Sequence, residues 1–242
     1  MPWDFGLILL VLATLVPWRG AVRMRQLLAL PHLATPDRLA LYASTIAFQW
    51  LAVGVVAWRA HARGLAPAEL GLSFVQKERI WEAAATLTVL LALGQILSLR
   101  YIAQLPPERQ GFLRLMASKV LPQNFVESLA FVALTGTVAL CEEFLYRGFA
   151  YAALERATSS AGLAAAGSAL LFALAHLYQG KRGVRTTFLV GLLFAGCRFW
   201  TGSLAPTIVT HLVVDLVAGL AAPRWLGTGE AAAGTGQHVN GG

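Results

Sequence analysis

Apolar runs separated by short basic or mixed stretches recur along the chain, and this pattern predicts helices long enough to cross a membrane. Residues 3–18 are apolar between two tryptophans, which suit the interfacial belt. As a helix they cover only about 24 Å, a thin or partly embedded span. A polar loop is expected over 20–38, with Arg19, Arg23, Arg25 and Arg38 around it. Residues 39–58 follow without a charge, and a second loop over 59–79 carries Arg63, Pro67, Glu69 and Lys77. Residues 80–99 form a further span with Glu82 near its start. In 100–122, Phe112, Leu113, Leu115, Met116 and Val120 alternate with Arg114, Ser118 and Lys119, the pattern of an amphipathic helix lying in the interface. Residues 124–155 exceed the roughly 20 residues of one perpendicular span. That segment is expected to tilt, or to break near Gly136 or just before Glu142. Residues 161–178, a basic turn over 179–185, residues 186–200 and residues 203–222 complete the pattern, with Pro206 in the first turn of the last, where proline is tolerated. The count is seven embedded segments, or eight if the long one breaks.

The fold class this predicts is all-α, a polytopic integral membrane helical bundle with a buried polar cavity. Three parts are expected: N-terminal spans with the amphipathic segment over 1–121, a membrane core over 122–222, and a disordered Gly-rich tail over 223–242. No internal repeat is visible.

Composition agrees. The chain is 57% hydrophobic and 13% charged, where a soluble domain has about 25% charged residues. The net charge of +7 sits between apolar runs. There, lysine and arginine set topology and meet anionic lipid heads, so no nucleic-acid partner is expected. The first three loops each carry about four basic residues, and the positive-inside rule does not discriminate an orientation. Cys141 and Cys197 both lie in apolar surroundings, so no disulfide framework is implied. The first segment has no basic n-region and no Ala-x-Ala-like site, and it does not read as a cleaved signal peptide.

Against this background a few ionisable residues stand deep in apolar sequence. Leu140-Cys141-Glu142-Glu143-Phe144-Leu145-Tyr146-Arg147-Gly148-Phe149 puts two carboxylates and an arginine in one run. On an α-helix Glu143 and Arg147 are at i and i+4, acid first, the favourable order for an ion pair. Glu142 is turned about 100° away, so one carboxylate is structural and the other is left for chemistry. The bland alternative is a charged cluster at a helix end. His176 closes Phe172-Ala173-Leu174-Ala175-His176, near a span end where histidine is often a packing residue. His211 and Asp215 are at i and i+4 well inside the last span. Ionisable groups in a membrane are costly and face one another or a polar interior, which points to one shared cavity. A carboxylate with an imidazole beside it activates water as a general base, and a second imidazole can donate to an oxyanion. Glu142, His176 and His211 would equally make a three-ligand zinc site with an open position, so the cofactor is zinc or none. The His-Glu-x-x-His signature is absent.

Taken together, Glu142-Glu143-x-x-x-Arg147, Phe172-x-x-x-His176 and His211-x-x-x-Asp215 resemble the CPBP family of intramembrane proteases. That group includes the type II CAAX prenyl endopeptidases and the bacteriocin self-immunity (Abi) proteins. Arg147-Gly148 and Thr201-Gly202-Ser203-Leu204-Ala205-Pro206 resemble its local context, and the resemblance covers roughly residues 122–222. It implies a metalloprotease-type endopeptidase with Glu142 as the base and His176 as its partner. Glu143 and Arg147 would hold the site together, and His211 with residue 215 would stabilise the oxyanion. The departure is Asp215, where the family often has Asn. An ionised Asp only accepts hydrogen bonds, so its expected role is to take one ring nitrogen of His211 and orient the other. The Ala-, Leu-, Gly- and Arg-rich composition reads as bacterial. That implies the cytoplasmic membrane, and a peptide or membrane-protein substrate more readily than a prenylated one.

Three other readings bear comparison. A non-enzymatic immunity or scaffold protein of the same fold would be expected to erode a motif, and all three stand. A proton-coupled transporter would be expected to show repeats. A Cys141 protease would use a thiol that in an apolar helix is usually a packing residue.

Overall fold

The computed structural model describes residues 1–228. Over these the chain forms ten α-helices: α1 Trp3–Ala13, α2 Leu15–Ala29, α3 Thr35–Ala62, α4 Lys77–Ala103, α5 Gly111–Lys119, α6 Phe125–Glu142, α7 Tyr151–Thr158, α8 Ala161–Ala175, α9 Gly180–Thr201 and α10 Ala205–Trp225. Between α6 and α7 the helix does not stop. Glu143–Ala150 continues it as a π-helix, with the wider i→i+5 hydrogen bonding. The only extended pairing among the described residues is an isolated bridge between Leu72 and Ser203.

Trp3–Ala29, Thr35–Ala62, Lys77–Ala103, Phe125–Thr158 and Ala205–Trp225 are long and apolar enough to cross a membrane. The pair Ala161–Ala175 and Leu177–Thr201, bent by 60° at its break, makes a sixth span, broken or re-entrant. The protein is a multi-pass helical membrane protein with five or six spans, where the sequence pattern predicts seven or eight. The difference lies in 161–178 and 186–200, which form this one bent pair. Its inner contacts run antiparallel, Gly191 against Ala169 and Ala195 against Ala164. All seven tryptophans are exposed, as residues of an interfacial belt would be.

Two further expectations are corrected, and the alternatives for 124–155 are narrowed to the unbroken helix. The polar loop over 20–38 is largely helix, because its arginines find partners on α3 without leaving the helix. Arg23 donates to the Ser44 hydroxyl at 2.7 Å, and Arg19 lies 5.2 Å from the Phe48 ring centroid. The basic turn over 179–185 is the first turns of α9. The segment 124–155 breaks neither at Gly136 nor before Glu142; it stays helical and widens its pitch at Glu143. At the other end α10 runs to Trp225, past the expected boundary at 222, and residues 229–242 of the expected tail lie outside the described residues.

Polar anchors set the helices' depth and register. Asn124 caps α6, its side chain accepting the Glu127 N–H at 3.0 Å. The Glu127 carboxylate accepts from Arg38 at 2.8 and 3.0 Å, from the Thr35 hydroxyl at 2.7 Å and from the Gln123 N–H at 2.8 Å. Both charges are buried and every oxygen of the acid is partnered, the condition under which a buried ion pair is tolerated. The start of α3 is thereby fixed to the start of α6, and the two helices run parallel. At the far end of α3, Asp4 takes Arg59 and, at 3.0 Å, Arg63, which ties in α1.

The loop between α3 and α4 is the third anchor. Glu69 pairs with Arg156 of α7 at 2.7 Å, and this hydrogen bond holds the Glu69 carboxyl below its ordinary range. Arg198 of α9 donates to the Glu69 carbonyl, and the Leu204 N–H donates to the Gly71 carbonyl at 2.9 Å. The carbonyl of Leu70 comes so close to Gly148 that a Cβ there would lie 3.1 Å from it. That contact accounts for the glycine after Arg147.

The closest approach of α6 to α10 depends on Gly219, where a Cβ would fall 2.0 Å from the Phe131 ring. Gly219→Ala should therefore destabilise the protein by about 1–3 kcal/mol, as overpacking does, despite alanine's better helix propensity. Thermal unfolding in detergent should show a lowered midpoint; an unchanged or raised midpoint would refute this account of the α6–α10 contact.

Candidate active site

Glu143 is the centre of the polar cluster. Its Oε1 accepts from Arg147 Nη1 at 3.0 Å, and both side chains are fully buried. The same oxygen lies 3.1 Å from His211 Nδ1. The i and i+4 pairing expected for an α-helix is kept inside the π segment.

Arg147 Nε and Nη2 have no hydrogen-bond partner among the described residues. Aromatic faces stand there instead. The guanidinium lies 3.9 Å from the centroid of Phe172 and 5.3 Å from that of Phe194. A cation over an aromatic ring is stabilised most where water is excluded. Gly191 completes the fit, since a Cβ there would meet Ala169 at 3.0 Å and Arg147 Nη2 at 3.4 Å.

Phe172 explains the second motif. Its ring carries Arg147 on its face and packs edge-on against Tyr146 at 5.3 Å, His176 at 4.6 Å and His211 at 6.1 Å between centroids. One phenyl group thus spaces both imidazoles and the guanidinium. His176 caps α8, and its Nδ1 lies 2.8 Å from the Phe172 carbonyl. A carbonyl only accepts, so Nδ1 carries the hydrogen, and in the neutral ring Nε2 is then the acceptor.

His211 and Asp215 are on one face of α10, as their spacing predicts. Nε2 of His211 is 3.5 Å from Asp215 Oδ2, too long for a firm hydrogen bond. The firmer contact is Nδ1 with Glu143. Glu143 thus makes the shorter contact to the ring, and Asp215, with 36% of its side chain exposed, stands at the more open side beside Nε2. Among the described residues Glu142 makes no hydrogen bond with Arg147 or His211. Its Oε1 accepts from Gln49 Nε2 of α3 at 3.1 Å, and its Oε2 is buried with no hydrogen-bond partner among the described residues.

So Glu143, Arg147 and His211 are brought into direct contact, Asp215 borders them, His176 packs on the same aromatic hub, and Glu142 is turned toward Gln49 of α3. The zinc set Glu142, His176 and His211 is not assembled. Among the described residues no three His, Cys, Asp or Glu side chains converge closely enough to hold a metal ion. Cys141 and Cys197 are buried, free thiols. Sequence reasoning missed Gln49, Phe194 and Gly191. Gln49 left a faint signal, as the one carboxamide in residues 39–58.

The helices that carry this buried cluster of charged side chains are long and apolar enough to cross a membrane. Residues 124–217 match the family model described as Type II CAAX prenyl endopeptidase Rce1-like. Residues 124–217 of this chain are thus similar to that family, and residues 1–123 lie outside the match. No curated protein and no solved structure matches the chain.

Arg147→Met should be among the most damaging single changes in the bundle. It leaves the fully buried Glu143 with His211 alone, and breaking a buried pair costs about 3–5 kcal/mol. A detergent melting curve should show a large loss of stability, greater than that of Arg156→Met, whose partner is exposed. Equal losses would mean that the buried pair carries no special weight.

Proposed function

We propose that the protein is an intramembrane endopeptidase in which Glu142, aided by His176, activates the attacking water. The observation that supports it most is the unequal surroundings of two adjacent acids. Each acid keeps a buried Oε2 without a hydrogen-bond partner among the described residues, but Glu143 Oε1 is held by Arg147 and His211, whereas Glu142 Oε1 meets only the neutral Gln49 amide. A base must keep a lone pair whose charge is not already taken up by a fixed cation.

In the proposed reaction, Glu142 Oε2 takes a proton from water while the water oxygen bonds to the scissile carbonyl carbon. Nε2 of His176 accepts a hydrogen bond from the same water and fixes its direction. The carbonyl oxygen becomes an oxyanion and accepts from the protonated Nε2 of His211. The proton held by Glu142 then passes to the leaving nitrogen, the C–N bond breaks, and a carboxylic acid and an amine result. Glu143 and Arg147 do not react; they hold His211 and the π segment. Asp215 lies beside the donating nitrogen.

The substrate class that suits this site is a peptide or protein segment held at the membrane, since each motif lies within the bundle and not on an extramembrane domain. Whether the segment carries a prenyl group is a question for the substrate panel.

Two outcomes test the proposal, both read on purified protein in liposomes with a panel of lipidated and unlipidated membrane peptides. Glu142→Gln should lower turnover by about 10²–10⁴-fold, the range for a lost general base, with an unchanged melting midpoint. Parental turnover in this variant would remove Glu142 as the base, and a parent inert on every peptide would favour a non-catalytic immunity or scaffold role.

Asp215→Leu should lose about 10²–10³-fold, the effect of weakening an oxyanion donor. Asp215→Asn should stay within about tenfold of the parent, because the amide can donate to the oxyanion itself. If the leucine variant matches the parent, Asp215 has no part in the reaction.

A further inference from the structure

The only described side chain that donates a hydrogen bond to Glu142 comes from outside the family-matched stretch. Gln49 sits near the middle of α3, in a run of Ala47, Phe48, Trp50 and Leu51. It falls on the same stripe as Tyr42, Val56 and Ala60, which are buried. An amide in such a run is costly unless it is hydrogen-bonded. Its partner is Glu142 Oε1 at 3.1 Å.

We propose that Gln49 is a positioning residue that fixes the Glu142 carboxylate for catalysis, an inference that rests on the peptidase reading. The terminal torsion of a glutamate is broad and carries little preference of its own. A donor on Oε1 removes that freedom and leaves Oε2 in one direction. A carboxylate only accepts, so the amide presents its N–H₂ group.

The type of donor matters as much as its place. Glu143 is met by an arginine and an imidazole, which take up its charge. Gln49 is neutral: it holds the carboxylate and leaves its charge in place for a proton. A lysine or arginine at this position would hold Glu142 equally well and suppress it as a base. Register supports the assignment. The Arg38–Glu127 pair fixes α3 parallel to α6, and Gln49 meets Glu142 further along the same two helices.

The test compares full-length variants in liposomes, on whichever peptide the parent cleaves. Gln49→Met keeps similar bulk and removes the donor. Its kcat should fall roughly 10- to 100-fold, the equivalent of one hydrogen bond to a charged group, while KM stays within about threefold, because Gln49 does not touch substrate in this account. Gln49→His restores an N–H on a side chain of similar reach and should recover most of the lost kcat. A purely packing role would instead favour methionine over histidine. In a Glu142→Gln background, Gln49→Met should have no further effect on kcat. Parental kcat in Gln49→Met, or a loss confined to KM, overturns the role of Gln49 and leaves the peptidase reading standing. A parent that cleaves nothing overturns the peptidase reading and this role with it.

Discussion

A charged pair without access to water, Glu143 with Arg147, is the constraint to which the middle of the bundle conforms. Taking both ions out of water costs several kcal/mol each, and the attraction between them recovers this only with good geometry and further partners. Those partners come from three helices. His211 on α10 shares the carboxylate oxygen, while Phe172 on α8 and Phe194 on α9 cover the guanidinium. Gly191 allows α9 to close over it. The positions of α8, α9 and α10 around the π segment all follow from satisfying one ion pair. The catalytic-type residues on those helices are carried into place as a consequence.

The same economy separates the roles of two neighbouring glutamates that sequence alone makes equivalent. Consecutive residues on a helix look in different directions, so the partners of Glu143 cannot serve Glu142. Glu142 is turned toward α3, where the available group is an uncharged amide. Polar anchors at the ends of the helices keep this arrangement in register: Glu127 with Arg38 at one end, and Glu69 with Arg156 and Arg198 at the other. The loop holding Glu69 also presses on Gly148, one residue after Arg147, so the extramembrane connection is in contact with the π segment itself.

Much of this was legible in the sequence, for physical reasons that can be named. Apolar runs report burial in lipid, and they located the long helices. Ionisable residues inside such runs are rare, and that rarity singled out Glu142, Glu143, Arg147, His211 and Asp215. Spacing of four paired Glu143 with Arg147 and placed Asp215 beside His211. Helix ends were harder. Arg19, Arg23, Lys181 and Arg182 read as loop because they are charged, yet long basic side chains can remain on a helix and reach outward. The contacts that define each site residue were not legible, because they join distant parts of the chain. Nothing local marks Gln49 as the partner of Glu142, or Gly219 as the place where Phe131 fits. The zinc set failed for the same reason, since candidate ligands on separate helices are only a list until their convergence is known.

The π-helical stretch has a consequence for what lengths of chain this site tolerates. A π turn accommodates a residue more than the α turn it replaces, so α6 and α7 are out of phase with one another. Removing a single residue between Glu143 and Arg147 would let the stretch relax to an ordinary α-helix, with better backbone geometry. It would leave α7 facing as it does now, because the π turn absorbs the loss, but it would bring the two charges to a spacing of three and move Arg147 from its place against Phe172 and Phe194. Residue count between the acid and the base is thus fixed as firmly as their identity. Two chains with the same motif residues and one insertion between them would seat the ion pair differently against the same neighbouring helices.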